Sequence, residues 1–242
     1  MIERGVVLAV ATSLATLPAC GGSVQQTHDA AAPAPPASSD VFTFDEATPG
    51  SLPANFNPGL TGGGDAVDWR VREVDDAPSG AQVVAQLSAD RTNTRYPLLV
   101  LDGFESHDVD LEVKFKTVSG EVDASGGLVF RYLDDGNYYV VRANSLEDNV
   151  VAYKAENGKR SNIGVRGKGS AYGVEAKVPH GQWNSLRVIA RGILFEIFFN
   201  GRKLFEVEND TFQGTGKVGL WTKADAVTHF DDLRVASLDP RD

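Results

Sequence analysis

The chain has one cysteine, Cys20, so no disulfide within it can staple the fold. Histidine is scarce. His28, His107, His180 and His229 fall on separate segments, with no H-x-H or H-x-x-x-H spacing, which argues against a zinc hydrolase. No G-x-S-x-G elbow presents a serine nucleophile. Gly167-Lys168-Gly169-Ser170 lacks the spacing of a phosphate loop and reads as a glycine-rich turn. Basic charge is in deficit: 23 Lys and Arg against 33 Asp and Glu leave a net charge of -10. Such a surface repels phosphate, which argues against nucleic acid as a partner. Apolar residues show no 3.6-residue period long enough for a helix.

What is present begins with residues 1–19, which read as a signal peptide. Arg4 is basic, Glu3 opposes it, and an apolar run extends from Val6 to Ala19. That run is shorter than the roughly 20 residues a membrane-spanning helix needs. It ends in Leu17-Pro18-Ala19-Cys20, which resembles the lipobox of bacterial lipoproteins, with Pro18 where a small or β-branched residue is usual. The resemblance implies lipidation of Cys20 and an anchor in a membrane, since several acyl chains hold where one alone is marginal. With Gly21 and no Asp after the cysteine, it implies the outer membrane, with the domain facing the periplasm. The alternative is an ordinary cleaved signal with an incidental cysteine.

Residues 20–40 read as a linker. The stretch from Ala30 to Ser39 holds Pro33, Pro35 and Pro36 and no aliphatic side chain larger than alanine. It buries too little to offset its ordering entropy, so a disordered tether is expected. From Val41 to Asp242 the texture changes to short apolar runs and turns. Asn200-Gly201, Asn157-Gly158 and Asp135-Gly136 each separate two alternating segments, which predicts hairpins. Further strands are expected at Phe42–Phe44, Trp69–Val74, Val83–Leu87, Leu98–Leu101, Val109–Thr117, Trp183–Ala190, Gly216–Thr222 and Thr228–Val235. Many short strands and no helix predict an all-β domain. The fold class is a two-sheet antiparallel jelly-roll sandwich in which the first and last strands pair.

The order Trp183-Asn184-Ser185-Leu186-Arg187-Val188, Asn200-Gly201, Gly216-Lys217-Val218-Gly219-Leu220-Trp221, Phe230-Asp231-Asp232-Leu233 resembles concanavalin A-like lectin/glucanase domains. It looks most like the laminin-G-like and 3-keto-disaccharide-hydrolase groups. Phe44-Asp45, Gly50, Pro53 and Trp69-Arg70-Val71 fit the same pattern, so the resemblance covers about residues 41–236. Lectins, glycosidases and interaction modules all share this fold, so the resemblance implies a fold more than an activity. Glucanases of this fold carry E-x-D-x-x-E on one strand. Here Glu121-Val122-Asp123 begins that motif but Gly126 ends it, which argues against that mechanism.

Side chains alternate along a strand. Arg131 therefore shares a face with Val129, and Tyr138, Val140, Arg142 and Asn144 share the next strand's face, with Tyr139 opposite them. Asn149 follows across a turn, and Trp221 and Lys223 share a later face. If these faces coincide, Arg131, Tyr138, Arg142, Asn144, Asn149, Trp221 and Lys223 line one surface. Aromatic rings and forked donors of this kind bind sugars. The same residues would otherwise be an ordinary sheet face, with Trp221 in the core. The jelly-roll resemblance also implies a structural calcium near the paired termini, with Asp45, Asp231 and Asp232 as ligands. Three readings stay open: a module binding a glycan or cell-wall polymer, a glycoside hydrolase, and a structural or protein-interaction lipoprotein.

Overall fold

The computed structural model describes residues 1–2 and 31–238. The expected signal peptide from residue 3 onward, Cys20 and His28 lie outside the described residues. In chain order the strands are β1 (Asp40–Phe42), β2 (Phe56–Gly62), β3 (Trp69–Glu73), β4 (Gln82–Gln86), β5 (Arg95–Leu101), β6 (Val109–Ser119), β7 (Ser125–Asp134) and β8 (Asn137–Asn144). They continue with β9 (Asn149–Glu156), β10 (Lys159–Asn162), β11 (Val174–Glu175), β12 (Asn184–Arg191), β13 (Leu194–Phe199), β14 (Arg202–Glu208), β15 (Lys217–Trp221) and β16 (Val227–Ser237). No helix among the described residues is long and apolar enough to cross a membrane.

The strands form two antiparallel sheets. Sheet I runs β14-β13-β12-β6-β16-β4-β3, with β1 added on β16. Sheet II runs β10-β9-β8-β7-β15-β5-β2, with β11 added on β9. The expected pairing of the terminal strands is present, Asp40 opposite Val235 and Phe42 opposite Leu233.

Alternation builds the sandwich. In β6, Val109, Leu111, Val113 and Phe115 enter the core between the sheets, while Glu112, Lys114 and Lys116 face out. In β8, Tyr139, Val141 and Ala143 do the same. Each large apolar side chain so buried contributes about 1.5–3 kcal/mol. Two of the three expected turns close as their sequences demand: Asn157-Gly158 and Asn200-Gly201 take positive φ, between 47° and 76°, which tight hairpins require; Asp135-Gly136 joins β7 to β8 without positive φ at either residue.

Two stretches are more regular than the expected strands and linker provide for. Phe56–Gly62, which is not among the expected strands, pairs with β5 along its length despite Pro58 and two glycines. It is the edge strand of sheet II, where a proline without an N–H is tolerated. The end of the expected linker is also more ordered than its composition predicts. The Ala32 N–H donates to Gly201 O (2.9 Å), Ala31 bridges to Arg202, and Arg187 donates to the Pro33 carbonyl (2.5 Å). Backbone and guanidinium hydrogen bonds replace the apolar burial that this stretch lacks.

Candidate functional site

The sandwich core takes one face of sheet II. The opposite face carries a second cluster of buried side chains: Tyr96, Leu98, Val100, Val129, Tyr138, Val140, Val151, Tyr153, Ala155 and Trp221. These are the alternate positions of β5, β7, β8, β9 and β15, so one parity rule places them all. Gly127 and Gly219 share the face and lie beside Arg142 and Val100. A β-carbon on Gly127 would come within 2.9 Å of Val141 O, and one on Gly219 within 2.4 Å of Leu99 O. Part of the cover comes from the segment after β10. Its Ile163 and Val165 enter the core, and Tyr172 returns over β9.

Arg142 is the hub of this face. It is 2% exposed, and its Nη2 donates to Glu147 Oε2 (2.8 Å), Tyr153 Oη (3.1 Å) and Tyr172 Oη (3.2 Å). Its Nη1 donates to Asn149 Oδ1, and Asn149 Nδ2 donates to Glu147 (3.0 Å). Asn144 Oδ1 accepts from the Leu146 and Glu147 N–H groups (2.8 and 3.1 Å), folding the turn that brings Glu147 back to Arg142. Lys223 lies 3.3 Å from Asp123, which also accepts from Ser125 Oγ. Beside this network Trp221 stacks on Tyr96, with centroids 5.7 Å apart. The Arg160 guanidinium lies over the rings of Tyr96 (4.7 Å), Tyr153 (4.3 Å) and Trp221 (5.7 Å).

The two carboxyls of the network titrate in opposite directions. Burial pushes Asp123 above its ordinary range, against Ser125 and Lys223. Burial also acts on Glu147, but Arg142 outweighs it and holds that carboxyl low. Tyr138 is pushed up to about 12 by burial. Three donors on this face, Arg160 Nη1, Asn144 Nδ2 and Trp221 Nε1, are buried with no hydrogen-bond partner.

The face therefore brings together Arg142, Asn144, Asn149 and Lys223, with Trp221 beside them in the ring cluster. Tyr138 lies farther along, bonded to Thr61 (2.8 Å) and stacked on Tyr132. Arg131 is the correction. A bulge interrupts the β7–β8 ladder after Phe130, and Arg131 takes φ 47°. The extra residues reverse the parity, so Tyr132 joins the outer cluster and Arg131 turns to the core. There it donates to His107 O (2.9 Å), Phe212 O (2.9 Å) and Gly192 O (2.5 Å), over the Phe195 ring.

Tyr96, Tyr153 and Arg160 were legible in principle, since the same alternation runs through β5, β9 and β10. Asp123, Glu147 and Tyr172 sit in turns and loops, where spacing carries no such signal. The expected calcium ligands lie elsewhere. Asp45 accepts from the Ala81 and Gln82 N–H groups (2.9 and 3.1 Å), Asp231 from Ser79 N–H (3.1 Å), and Asp232 pairs with Lys114 (2.7 Å). Among the described residues no three His, Cys, Asp or Glu side chains form a group suited to a metal. A cavity of about 500 Å³ lies under the β1–β2 connection, lined by Phe42, Phe44, Leu52 and Phe56. It offers Glu46 and hydroxyls but no cation or amide side chain, so we place the site on sheet II.

Comparison with known proteins agrees with this architecture. A family profile for the 3-keto-alpha-glucoside-1,2-lyase-like domain matches residues 56–236. The carbohydrate-binding module CBM66 from Bacillus subtilis is similar in fold, with TM-score 0.57 and 18% identity over 75% of this chain and 96% of that one. A GH43 protein from Bacillus licheniformis gives TM-score 0.51 and 14% identity over 81% of this chain and 39% of its own. No curated protein matches the chain. The profile runs from β2 into the last strand, and the chain belongs to the 3-keto-alpha-glucoside-1,2-lyase-like family as a carbohydrate-related β-sandwich domain.

Proposed function

We propose that the domain binds a glycan on the outer face of sheet II, without glucanase-type catalysis, and is displayed from the cell envelope by lipid on Cys20. One observation carries the binding reading. A buried, forked cation, Arg142, is held by two phenols, an amide and a carboxylate, and one of those phenols, Tyr172, keeps its ring exposed beside it. Sugars need such a mixture of flat apolar surface and fixed donors and acceptors. The unpartnered Asn144 and Arg160 donors leave hydrogen-bonding capacity for a ligand to fill.

The test is a glycan array with the full chain, followed by titration of any hit. Arg142→Ala with Asn144→Ala should abolish binding. Because Arg142 is buried, the exposed Tyr172→Ala is the control for folding and should also weaken binding. An array with no hit, or normal binding by the double variant, refutes the reading. For the anchor, Cys20→Ser should release the protein from membranes and end its labelling by palmitate; persistent membrane partition refutes it.

A second reading is supported by the two carboxyls of the network, Asp123 beside Ser125 and Lys223 and Glu147 beside Arg142, which could serve as an acid–base pair. The family's description names a lyase acting on 3-keto-glucosides, a reaction that begins with proton removal beside a carbonyl. Turnover of a 3-keto-glucoside, lost in Glu147→Gln, would favour this reading over binding alone.

A further inference from the structure

We propose that the glycan taken by the sheet II face is an acidic sugar, whose carboxylate pairs with Arg160. This rests on the reading of that face as a glycan site and adds the charge of its ligand. Each carboxylate in the network already has its cation: Glu147 has Arg142 at 2.8 Å and Asp123 has Lys223 at 3.3 Å. Arg160 is the cation left over. Its guanidinium is surrounded by the rings of Tyr96, Tyr153 and Trp221, and Nη1 is buried without a partner. Among the described residues no carboxylate lies within ion-pairing distance of it.

A part-buried cation without a counter-ion is costly. Ring faces offset some of that cost, by roughly 0.5–2 kcal/mol, but they leave the N–H donors unused. On a chain of net charge -10, the Arg142–Arg160 end of this face therefore has a surplus of positive charge and of donors. Asn144 Nδ2, buried and unpartnered, adds to the donor surplus. A ligand that complements it brings acceptors and a negative charge. A carboxylate matches the planar guanidinium fork. A saccharide body matches the exposed Tyr172 ring and the Asn149 amide at the mouth of the same face. A uronic acid residue combines the two.

The test is calorimetric titration of the purified full chain, at low salt, with tri-galacturonic acid, its methyl ester, maltotriose and inorganic phosphate. The free acid should bind about ten-fold tighter than its ester. The gap should narrow at high salt. Arg160→Gln should close the gap, and Arg160→Lys should retain part of it. Equal affinity for acid and ester overturns the proposal while leaving the glycan reading intact. Phosphate binding as tight as the acid overturns it in favour of a simple anion site. If no saccharide binds, the glycan reading itself fails and takes this inference with it. Should Arg160→Gln fail to fold, the comparison of acid with ester on the unaltered chain decides.

Discussion

Arg187 and Asp110 form a two-pronged ion pair on the outer face of sheet I, Nε to Oδ1 at 2.7 Å and Nη2 to Oδ2 at 2.6 Å. Both side chains are 5% exposed, and the third donor of the guanidinium reaches the Pro33 carbonyl. The pair thus holds the chain entering the domain against the sheet. A buried pair of this kind is costly to break from one side, because the survivor is left charged and dry. Asp110→Ala should therefore lose about 3–5 kcal/mol in urea unfolding. Replacing both partners by Met and Leu should recover most of that loss. A single-variant loss under about 1 kcal/mol, the surface range, would show that the pair is hydrated.

Asp231 and His229 lie close in sequence on β16 and respond to pH in opposite directions. Burial lifts the Asp231 carboxyl from an ordinary 3.8 to about 6. The folded state then binds the extra proton between these values, so its contribution is present below pH 4 and lost as pH rises through about 6. The upper bound is about 3 kcal/mol. Burial, followed by Lys116, lowers His229 from 6.5 to about 4. Its contribution is present above pH 6.5 and lost as pH falls through about 4. The two trends oppose one another between pH 4 and 6, so His229→Gln should expose a stability that increases as pH falls there. Carbon-detected NMR should place the Asp231 midpoint near 6, and a midpoint in the ordinary range would refute the burial argument. Calcium on this carboxyl would pull the midpoint down, so repeating the titration with millimolar calcium tests the metal expected from the jelly-roll resemblance.

Arg131 separates stability from binding. It spans the gap to three backbone carbonyls, of His107, Gly192 and Phe212. Removing it strands those acceptors in the interior, each at about 1–3 kcal/mol. Arg131→Ala should cost at least about 3 kcal/mol in urea unfolding, while the folded fraction binds glycan with unchanged affinity. Gly216→Ala should mimic the loss, since its β-carbon would meet the Arg131 carbonyl carbon at 2.5 Å. If Arg131→Ala were stable and failed to bind, the placement in the core would be wrong.

Much of the fold was legible because alternation and Asn-Gly turns are local signals that tertiary contacts here reinforce. Tyr139 inward and Arg142 outward follow from parity alone. The misplacement of Arg131 has the same origin: parity holds only until a bulge inserts a residue, and the bulge after Phe130 has no Asn-Gly or Asp-Gly mark of its own. β2 escaped notice because Pro58 is read as a breaker unless the strand is known to be an edge. The site was half visible for a related reason. Arg142, Asn144 and Asn149 sit on strands, whereas Glu147 and Tyr172 reach Arg142 from a turn and a long connection. Only the folded chain shows that convergence.

Tyr172 is where that convergence can be tested with least disturbance. Its side chain is 51% exposed, yet its hydroxyl reaches both Arg142 and the Tyr153 hydroxyl. Exposure means that truncation leaves no cavity, so Tyr172→Ala should shift unfolding free energy by no more than about 0.5 kcal/mol. Binding should respond differently, because the ring is the exposed aromatic surface beside the Arg142 network. Loss of a stacking platform and one hydroxyl should weaken glycan affinity about ten-fold. Tyr172→Phe, which keeps the ring, should retain most of it. Titration of both variants with the same glycan checks this. Equal losses in Phe and Ala would assign the effect to the hydroxyl and its bond to Arg142. Unchanged affinity in both would move the ligand away from this end of the face.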